Sequence, residues 1–169
     1  MPSWQIRDAR QANATGIATV HVRAWEAAYR GLLSDEVIRS AASRRHSWWE
    51  SYLSEAHEGE HVLVALNVSR VVGFASGRPS PDEDAQPGQA EVGGLYVDPD
   101  LWGRGVGGEL LQALLRRLRT DGFTSATLWV LDANVAARRF YERRGWALNG
   151  AERVDPGRGA TELRYRLAL

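Results

Sequence analysis

The chain has 169 residues, 44% of them apolar and 25% charged, a composition typical of a folded protein with a hydrophobic core and not of a disordered one. Its 21 basic residues balance its 21 acidic ones, so the net charge predicts neither a nucleic acid nor an anionic membrane as a partner. Cysteine is absent, which excludes disulfides, thiolate metal sites and a cysteine nucleophile.

The sequence shows no segment of the kind that exports a protein or anchors it in a membrane. No apolar run approaches the roughly 18 residues of a membrane span, and residues 1–7 lack the apolar stretch of a secretory signal. We therefore expect a cytoplasmic protein. The four histidines show no metal-ligand spacing, so no metal is expected. Neither a repeat nor a linker divides residues 1–169, which predicts one domain.

The N-terminal part of the chain is predicted to be mostly helical after a short strand at residues 5–7. Apolar residues at helical spacing predict a helix over residues 10–30, which Gly31 ends. Ser34 stands before two acidic residues and is typical of a helix N-cap. A further helix is predicted over residues 44–54.

The remainder of the chain alternates strands and helices. β-Branched runs and turn residues predict strands, and leucines at helical spacing predict a long amphipathic helix. In chain order these elements are a hairpin (61–66 and 71–77), a strand (91–97), the amphipathic helix (from 106), a strand (124–131), a helix (134–144) and a closing hairpin (146–154 and 161–167). The order predicts a mixed α/β fold.

A glycine-rich turn lies between the strand at 91–97 and the amphipathic helix. Its glycines are Gly103, Gly105, Gly107 and Gly108, and such a turn lets backbone N–H groups converge on an anion at a helix N-terminus. Arg104 adds a cation at the rim. Three of the glycines also match the dinucleotide fingerprint G-x-G-x-x-G, which leaves a nicotinamide-dependent oxidoreductase as an alternative. Against it, residues 98–102 separate the glycines from the strand, and too few residues follow for a long parallel sheet.

Two segments resemble the GCN5-related N-acetyltransferases (GNAT). Residues 90–107 are similar to the family's acetyl-CoA signature, which is written as Gln or Arg, two residues, Gly, one residue, then Gly or Ala. The signature glycines fall on Gly105 and Gly107, and Trp102 stands where Gln or Arg is usual. Residues 134–146 resemble the later family motif of an Asn, a Phe-Tyr pair and Gly-Phe or Gly-Trp.

This resemblance implies a largely antiparallel sheet with central splayed strands flanked by helices. It also implies an enzyme that moves the acetyl group of acetyl-CoA onto a primary amine of a small molecule or protein, with no metal. Since no cysteine is available, direct transfer in a ternary complex is expected. A non-catalytic acyl-CoA-binding module is a second alternative. The implied cofactor contacts are Leu95, Tyr96, Val97, Trp102, Gly103, Arg104, Gly105, Val106, Gly107, Gly108, Asn134, Ala137 and Tyr141.

The chemistry of amine acetylation indicates which catalytic groups to seek. An alkyl amine has a pKa of about 10.4, so a base or a desolvating pocket must remove its proton at neutral pH. By resemblance Glu91 is the candidate base, and an exposed strand carboxylate is its alternative. Tyr141 is the candidate acid, because a phenol of pKa near 10 stays protonated beside a departing thiolate. Its alternative is a packed aromatic. Asn134 contacts the pantetheine arm by resemblance or is simply a helix N-cap.

Further features concern the strand at 91–97 and the aromatic residues of the front half. Gly93 and Gly94 in mid-strand predict a bulge, and by resemblance this strand splays from the next one. Two residues one helical turn apart, Trp25 and Tyr29, are candidates for an aromatic wall that binds an amine, with core packing as the alternative. For Trp48 and Trp49 the alternatives are core packing and a homodimer contact.

Overall fold

The computed structural model describes residues 4–169, so residues 1–3 of the segment expected to lack a secretory signal lie outside the described residues. Four helices and seven strands follow one another in it, with short 3-10 turns at Gln11–Asn13 and Pro99–Leu101. In chain order the elements are β1 (Gln5–Asp8), α1 (Ala14–Tyr29), α2 (Asp35–Ser54), β2 (His61–Asn67), β3 (Arg70–Pro79), β4 (Gln89–Val97), α3 (Val106–Thr120), β5 (Ser125–Leu131), α4 (Val135–Glu142), β6 (Ala147–Asp155) and β7 (Ala160–Ala168).

The strands form one sheet in the order β1-β2-β3-β4-β5-β7-β6. Neighbouring strands are antiparallel except β4 and β5, which are parallel. Alternate side chains of the strands belong to different core clusters, one with α3 and α4 and the other with α1 and α2. The two helix pairs therefore cover opposite faces. This architecture confirms the predicted mixed α/β fold with a largely antiparallel sheet.

The amphipathic helix forms where the leucine spacing predicts it. The side chains of Val106, Leu110, Leu114 and Leu118 are at most 1% exposed and make one stripe against the sheet. Burying four such side chains contributes roughly 1.5–3 kcal/mol each. The stripe thus fixes the position of the helix N-terminus at the end of β4.

The second helix is longer than the sequence pattern indicates. Ser34 caps it as predicted, since its Oγ accepts a hydrogen bond from Val37 N at 3.3 Å. The prediction of a separate helix over residues 44–54 is wrong, because α2 runs without a break from Asp35 to Ser54. No glycine or proline interrupts this segment, so nothing in it ends the helix early.

The strand β4 carries a bulge and then separates from β5. Its pairing with β3 shifts register between the partners Gly94 and Val92, so Gly93 has no partner. Its parallel pairing with β5 covers only Gln89–Glu91, although both strands continue well beyond it. The bulge and the splay are therefore both confirmed. They leave a gap between β4 and β5 in the middle of the sheet, and we call it the central gap.

Candidate active site

The backbone of β4 presents polar groups to the central gap. The amide of Asp98 donates to Val72 O at 2.8 Å, so position 98 is hydrogen-bonded to β3. Because bonded positions alternate in an antiparallel pair, the even positions of this part of β4 bond to β3. The N–H and C=O groups of Leu95 and Val97 therefore point the other way, into the central gap. Since the β5 ladder ends at Glu91, these groups have no strand partner.

Trp102 hydrogen-bonds to one of these backbone groups, the carbonyl of Val97. Its indole Nε1 donates to Val97 O at 2.8 Å, while the ring itself is 49% exposed. This residue stands where the GNAT signature usually has Gln or Arg, and here it ties the glycine turn to the end of β4. The groups that remain open to a ligand are both groups of Leu95 and the N–H of Val97.

The glycine turn forms an anion cradle at the start of α3. The first bond of the helix is donated by Glu109 N to Gly105 O, and among residues 4–169 the amides of Gly105–Gly108 have no acceptor. Gly105, the N-cap, has φ +97° and Gly103 has φ +76°, a backbone conformation that favours glycine. A Cβ at either position would meet nothing within 4 Å, so the approach is open. These features fit a phosphate group.

Two arginines lie near this cradle. Arg104 is exposed in the turn itself, as the sequence predicts. Arg144 was not predicted: its Nη2 is 3.0 Å from the position of a Cβ on Gly108, and its guanidinium stacks 3.7 Å from the Phe140 ring centroid. Only the packing of α4 against the N-terminus of α3 brings it there. Neither arginine forms an ion pair with any residue of 4–169.

Glu91 lies where β4 and β5 begin to separate. Its side chain is buried, which excludes the alternative of an exposed strand carboxylate. Arg78 donates to its Oε1 from Nε at 3.1 Å and from Nη2 at 2.9 Å. Burial raises the pKa of Glu91 above its ordinary value, although Arg78 opposes this shift. Sequence reasoning missed Arg78, whose position opposite Glu91 is set by the register of β3 and β4.

The two mid-strand glycines keep the surface between Glu91 and Tyr96 free of side chains. A Cβ on Gly93 would lie 3.8 Å from Glu91 Oε1, and a Cβ on Gly94 would lie 3.4 Å from Tyr96 Cε2. Both would also approach Ser76 Oγ to 3.3 Å. Glu91 and Tyr96 therefore lie on the same face of the sheet, the one that carries α1 and α2.

Tyr141 approaches the central gap from the opposite face. Its ring packs edge-on against Phe140 and Trp146, with centroid separations of 5.1 and 5.8 Å. Burial raises the pKa of its hydroxyl above the ordinary tyrosine value, and interaction with Tyr96 adds to this shift. Within residues 4–169 the hydroxyl makes no hydrogen bond, and Trp146 Nε1 is a buried donor that also lacks a partner. The Tyr141 hydroxyl is therefore free to donate to a ligand in the gap.

The Asn134 side chain is engaged at the start of α4. Its Oδ1 accepts from Ala137 N at 3.2 Å, which confirms the N-cap interpretation. The Nδ2 group has no acceptor in residues 4–169 and stays available to a carbonyl group of a ligand. Ala137 is partly buried against the core, so it offers its surface and not a hydrogen-bonding group.

The aromatic residues of the front half divide into buried and exposed ones. Trp25 and Tyr29 are buried and pack edge-on at 4.8 Å, and Trp25 Nε1 donates to Tyr96 OH at 3.2 Å. Trp25 and Tyr29 are therefore part of the core, as the packing alternative predicted, and they lie on the same face of the sheet as Glu91. Trp49 is buried and donates from Nε1 to His21 Nδ1 at 3.1 Å, whereas Trp48 is 49% exposed.

A surface depression lies away from the central gap. It has a volume of about 440 Å³ and lies between α1 and the turn that joins β2 to β3. The buried carboxylate of Asp98 beneath it is already paired with Arg23 at 2.7 Å and with Arg70. Its charges are thus satisfied within the chain, so we place the site at the central gap. In residues 4–169 no helix has the length and apolar character to cross a membrane, and no metal-binding cluster is present.

Comparison with known proteins identifies the family of the chain. The model of the acetyltransferase (GNAT) family matches residues 15–146. The chain belongs to the GNAT family. A probable N-acetyltransferase of Mycobacterium tuberculosis is 25% identical, covering 86% of this chain and 81% of the relative. The L-methionine sulfoximine/L-methionine sulfone acetyltransferase of Pseudomonas aeruginosa is 31% identical, covering 88% and 83%.

A solved structure has the same fold. The PaiA N-acetyltransferase of Thermoplasma acidophilum, crystallised in complex with coenzyme A, superposes with a TM-score of 0.80 at 20% identity, covering 98% of this chain and 99% of the other. The GNAT membership makes the chain an acetyl-CoA-dependent acyltransferase. The dinucleotide interpretation of the glycine turn and the non-catalytic alternative are both superseded.

Proposed function

We propose that this GNAT enzyme transfers the acetyl group of acetyl-CoA directly to a primary amine while both substrates are bound. The observation that carries the proposal is the central gap, which has unpaired backbone groups of Leu95 and Val97 on one side and the carboxylate of Glu91 at its closed end. When bound, acetyl-CoA supplies an activated acyl group as a thioester. Since the chain has no cysteine, no acyl-cysteine can form, which favours direct transfer.

Glu91 is the proposed base. Because Arg78 holds Oε1, the other oxygen, Oε2, is left to accept a proton from the amine or from a water between them. Burial keeps the pKa of Glu91 above the usual value, which makes the carboxylate a stronger base than an exposed glutamate. Arg78 opposes this shift by stabilising the charged form of the carboxylate.

Tyr141 is the proposed acid. Its side chain is buried and its hydroxyl has no acceptor in residues 4–169, and the hydroxyl keeps its proton because burial raises its pKa. A phenol in this state still holds its proton when the thiolate departs, so it can give the thiolate a hydrogen bond that stabilises the developing negative charge. The packed rings of Phe140 and Trp146 hold the hydroxyl in place.

The backbone and the helix N-terminus provide the remaining contacts. The unpaired N–H groups of Leu95 and Val97 can donate to oxygen atoms in the gap, including an acyl oxygen on which negative charge develops. The amides of Gly105–Gly108 would hold the phosphates, with Arg104 and Arg144 beside them. Asn134 Nδ2 is the proposed donor to the pantetheine arm.

The acceptor is proposed to enter from the face that carries α1 and α2, beside Trp25 and Tyr29. Glu91 opens to that face, and Tyr141 lies on the other. A small-molecule acceptor is favoured because the Pseudomonas aeruginosa relative is named for amino-acid derivatives. Methionine sulfone is accordingly the first acceptor to assay.

Calorimetric titration with acetyl-CoA, and with NADH as a control, tests the donor site, and release of free thiol in the presence of amines tests the transfer. We expect saturable binding of acetyl-CoA alone and thiol release that depends on an added amine. Thiol release at the same rate without any amine would contradict transfer to an amine. An acetylated protein isolated after mixing with acetyl-CoA alone would contradict direct transfer.

A further inference from the structure

Two guanidinium groups converge on the indole of Trp25. The Cζ atom of Arg45 lies 5.5 Å from the ring centroid, and the Cζ atom of Arg158 lies 5.0 Å from it. Arg45 comes from α2 and Arg158 from the turn between β6 and β7, so two distant parts of the chain bring these cations together. Burial and the charge of Arg158 both lower the pKa of Arg45, so an anion at this position would stabilise the pair of cations.

The chain supplies only part of the negative charge that these cations need. Glu162 is buried and pairs through Oε1 with Arg158 at 2.7 Å and through Oε2 with Arg153 at 2.8 Å. Arg45 is half-buried and has neither an ion pair nor a hydrogen bond with any residue of 4–169. Arg153 and Arg158 therefore share the carboxylate of Glu162, and Arg45 has no counter-charge of its own in residues 4–169. A half-buried arginine without a partner loses hydration without gaining a counter-charge.

This cationic cluster lies on the acceptor side of the central gap. Trp25, against which both arginines pack, donates a hydrogen bond to Tyr96 OH, and Tyr96 shares a face of the sheet with Glu91. The positive field extends into this region, because Arg45 and Arg158 both disfavour protonation of the nearby His21. The phosphate cradle at Gly105–Gly108 has its own unpaired amides and does not need these cations.

We propose that the acceptor carries a carboxylate beside its amine, as an amino acid does, and that Arg45 and Arg158 bind this carboxylate against the Trp25 ring. The proposal rests on the proposed function, since it names the class of amine that the enzyme acetylates. Arg45 supplies the unpaired charge, and a planar guanidinium can bind both oxygens of a carboxylate. The amine then extends toward Glu91.

Matched pairs of acceptors test the charge requirement. Each L-amino acid, with methionine sulfone included, is assayed for thiol release against its own α-amide, which keeps the side chain and the amine but lacks the negative charge. Removing the carboxylate also lowers the pKa of the amine, which makes the amide intrinsically more reactive at neutral pH. We nevertheless expect the preferred amino acid to have a kcat/KM at least about tenfold above that of its amide.

Substitution of Arg45 links this preference to the structure. Arg45→Gln should raise the KM for the amino acid about tenfold or more, and leave the KM for the amide and the affinity for acetyl-CoA within about twofold. Arg44→Gln is the matched control, because it removes the same charge from the adjacent, exposed position of α2. This control should leave all three values unchanged. Arg158→Gln should repeat the effect of Arg45→Gln.

The outcomes separate the two proposals. An enzyme that binds acetyl-CoA but acetylates amides as well as amino acids, or acetylates no amino acid, contradicts the carboxylate site and leaves the proposed function intact. Equal loss of acetyl-CoA affinity in Arg45→Gln also contradicts it, because the cation would then serve the donor. Failure of the wild-type protein to bind acetyl-CoA would instead remove the proposed function.

Discussion

Arg78 donates two hydrogen bonds to a single oxygen of Glu91, at 3.1 and 2.9 Å, and leaves the second oxygen without a donor in residues 4–169. A purely structural ion pair gains most from a bidentate geometry in which each carboxylate oxygen is bound. The pairing seen here stabilises the charge of Glu91 and also leaves one oxygen able to take a proton. The first prediction follows from this geometry.

Glu91→Gln should lower kcat/KM about a hundredfold, because glutamine keeps the shape and the Arg78 contact but cannot accept a proton. Since burial raises the pKa of Glu91, wild-type activity should fall as the pH drops through a value above the ordinary glutamate pKa. The loss in the variant should therefore be largest at pH values where Glu91 is charged and most of the amine is still protonated, and it should shrink at lower pH, where the wild-type Glu91 takes up a proton. Glu142→Gln, an exposed position on α4, is the control. A variant whose pH profile matches that of the wild type would remove Glu91 from the mechanism.

Tyr141→Phe should lower kcat by about ten- to a hundredfold with little change in acetyl-CoA affinity, because it deletes only the proton donor. Tyr165→Phe is the matched control. That tyrosine is also buried, but its hydroxyl donates to Glu142 at 2.7 Å and its loss should reduce stability without reducing turnover. Single-turnover thiol release measures the turnover of both variants. Equal turnover by the Tyr141 variant and the wild type would show that the tyrosine is only a packed aromatic.

Gly105→Ala should weaken acetyl-CoA binding about tenfold, because a side chain at φ +97° strains the backbone and redirects the amides of the cradle. Gly122→Ala is the control at the other end of the same helix, with φ +92° and equally open space around the added Cβ. Both variants should lose roughly 1–2 kcal/mol of stability from the strain. Only the first should lose affinity in calorimetry, and similar affinities for both would contradict the cradle.

His21 should make the stability of the fold depend on pH. Burial, assisted by the charges of Arg45 and Arg158, lowers its pKa from 6.5 to about 3. The unfolded chain therefore binds a proton more readily than the folded one, and the free energy of unfolding should fall as the pH drops from about 6.5 toward 3, by up to about 1.4 kcal/mol per pH unit. His21→Gln keeps an acceptor for Trp49 and should flatten this dependence in urea unfolding. An equally steep dependence in the variant would assign it to other groups.

Local patterns predicted those parts of the fold that short segments decide by themselves. The leucine stripe of α3, the N-cap at Ser34 and the bulge at Gly93 depend on residues within a few positions of each other, so the sequence carries their signal. The glycine turn belongs to the same class. Resemblance to the GNAT motifs predicted the splay of β4 from β5, which the spacing of residues along the sequence does not indicate.

Tertiary structure decided the relationships between distant segments. The closing hairpin places β7 and not β6 beside β5, and this choice brings Arg158 and Glu162 to the acceptor face. Arg78 meets Glu91 only through strand register, and Arg45 meets Trp25 only because α2 packs on α1. The sequence by itself predicted the glycine turn, because that pattern is local, and resemblance to the GNAT motifs supplied the candidate catalytic pair of Glu91 and Tyr141. The surroundings of the acceptor depend on which faces pack together, and that is a property of the whole core.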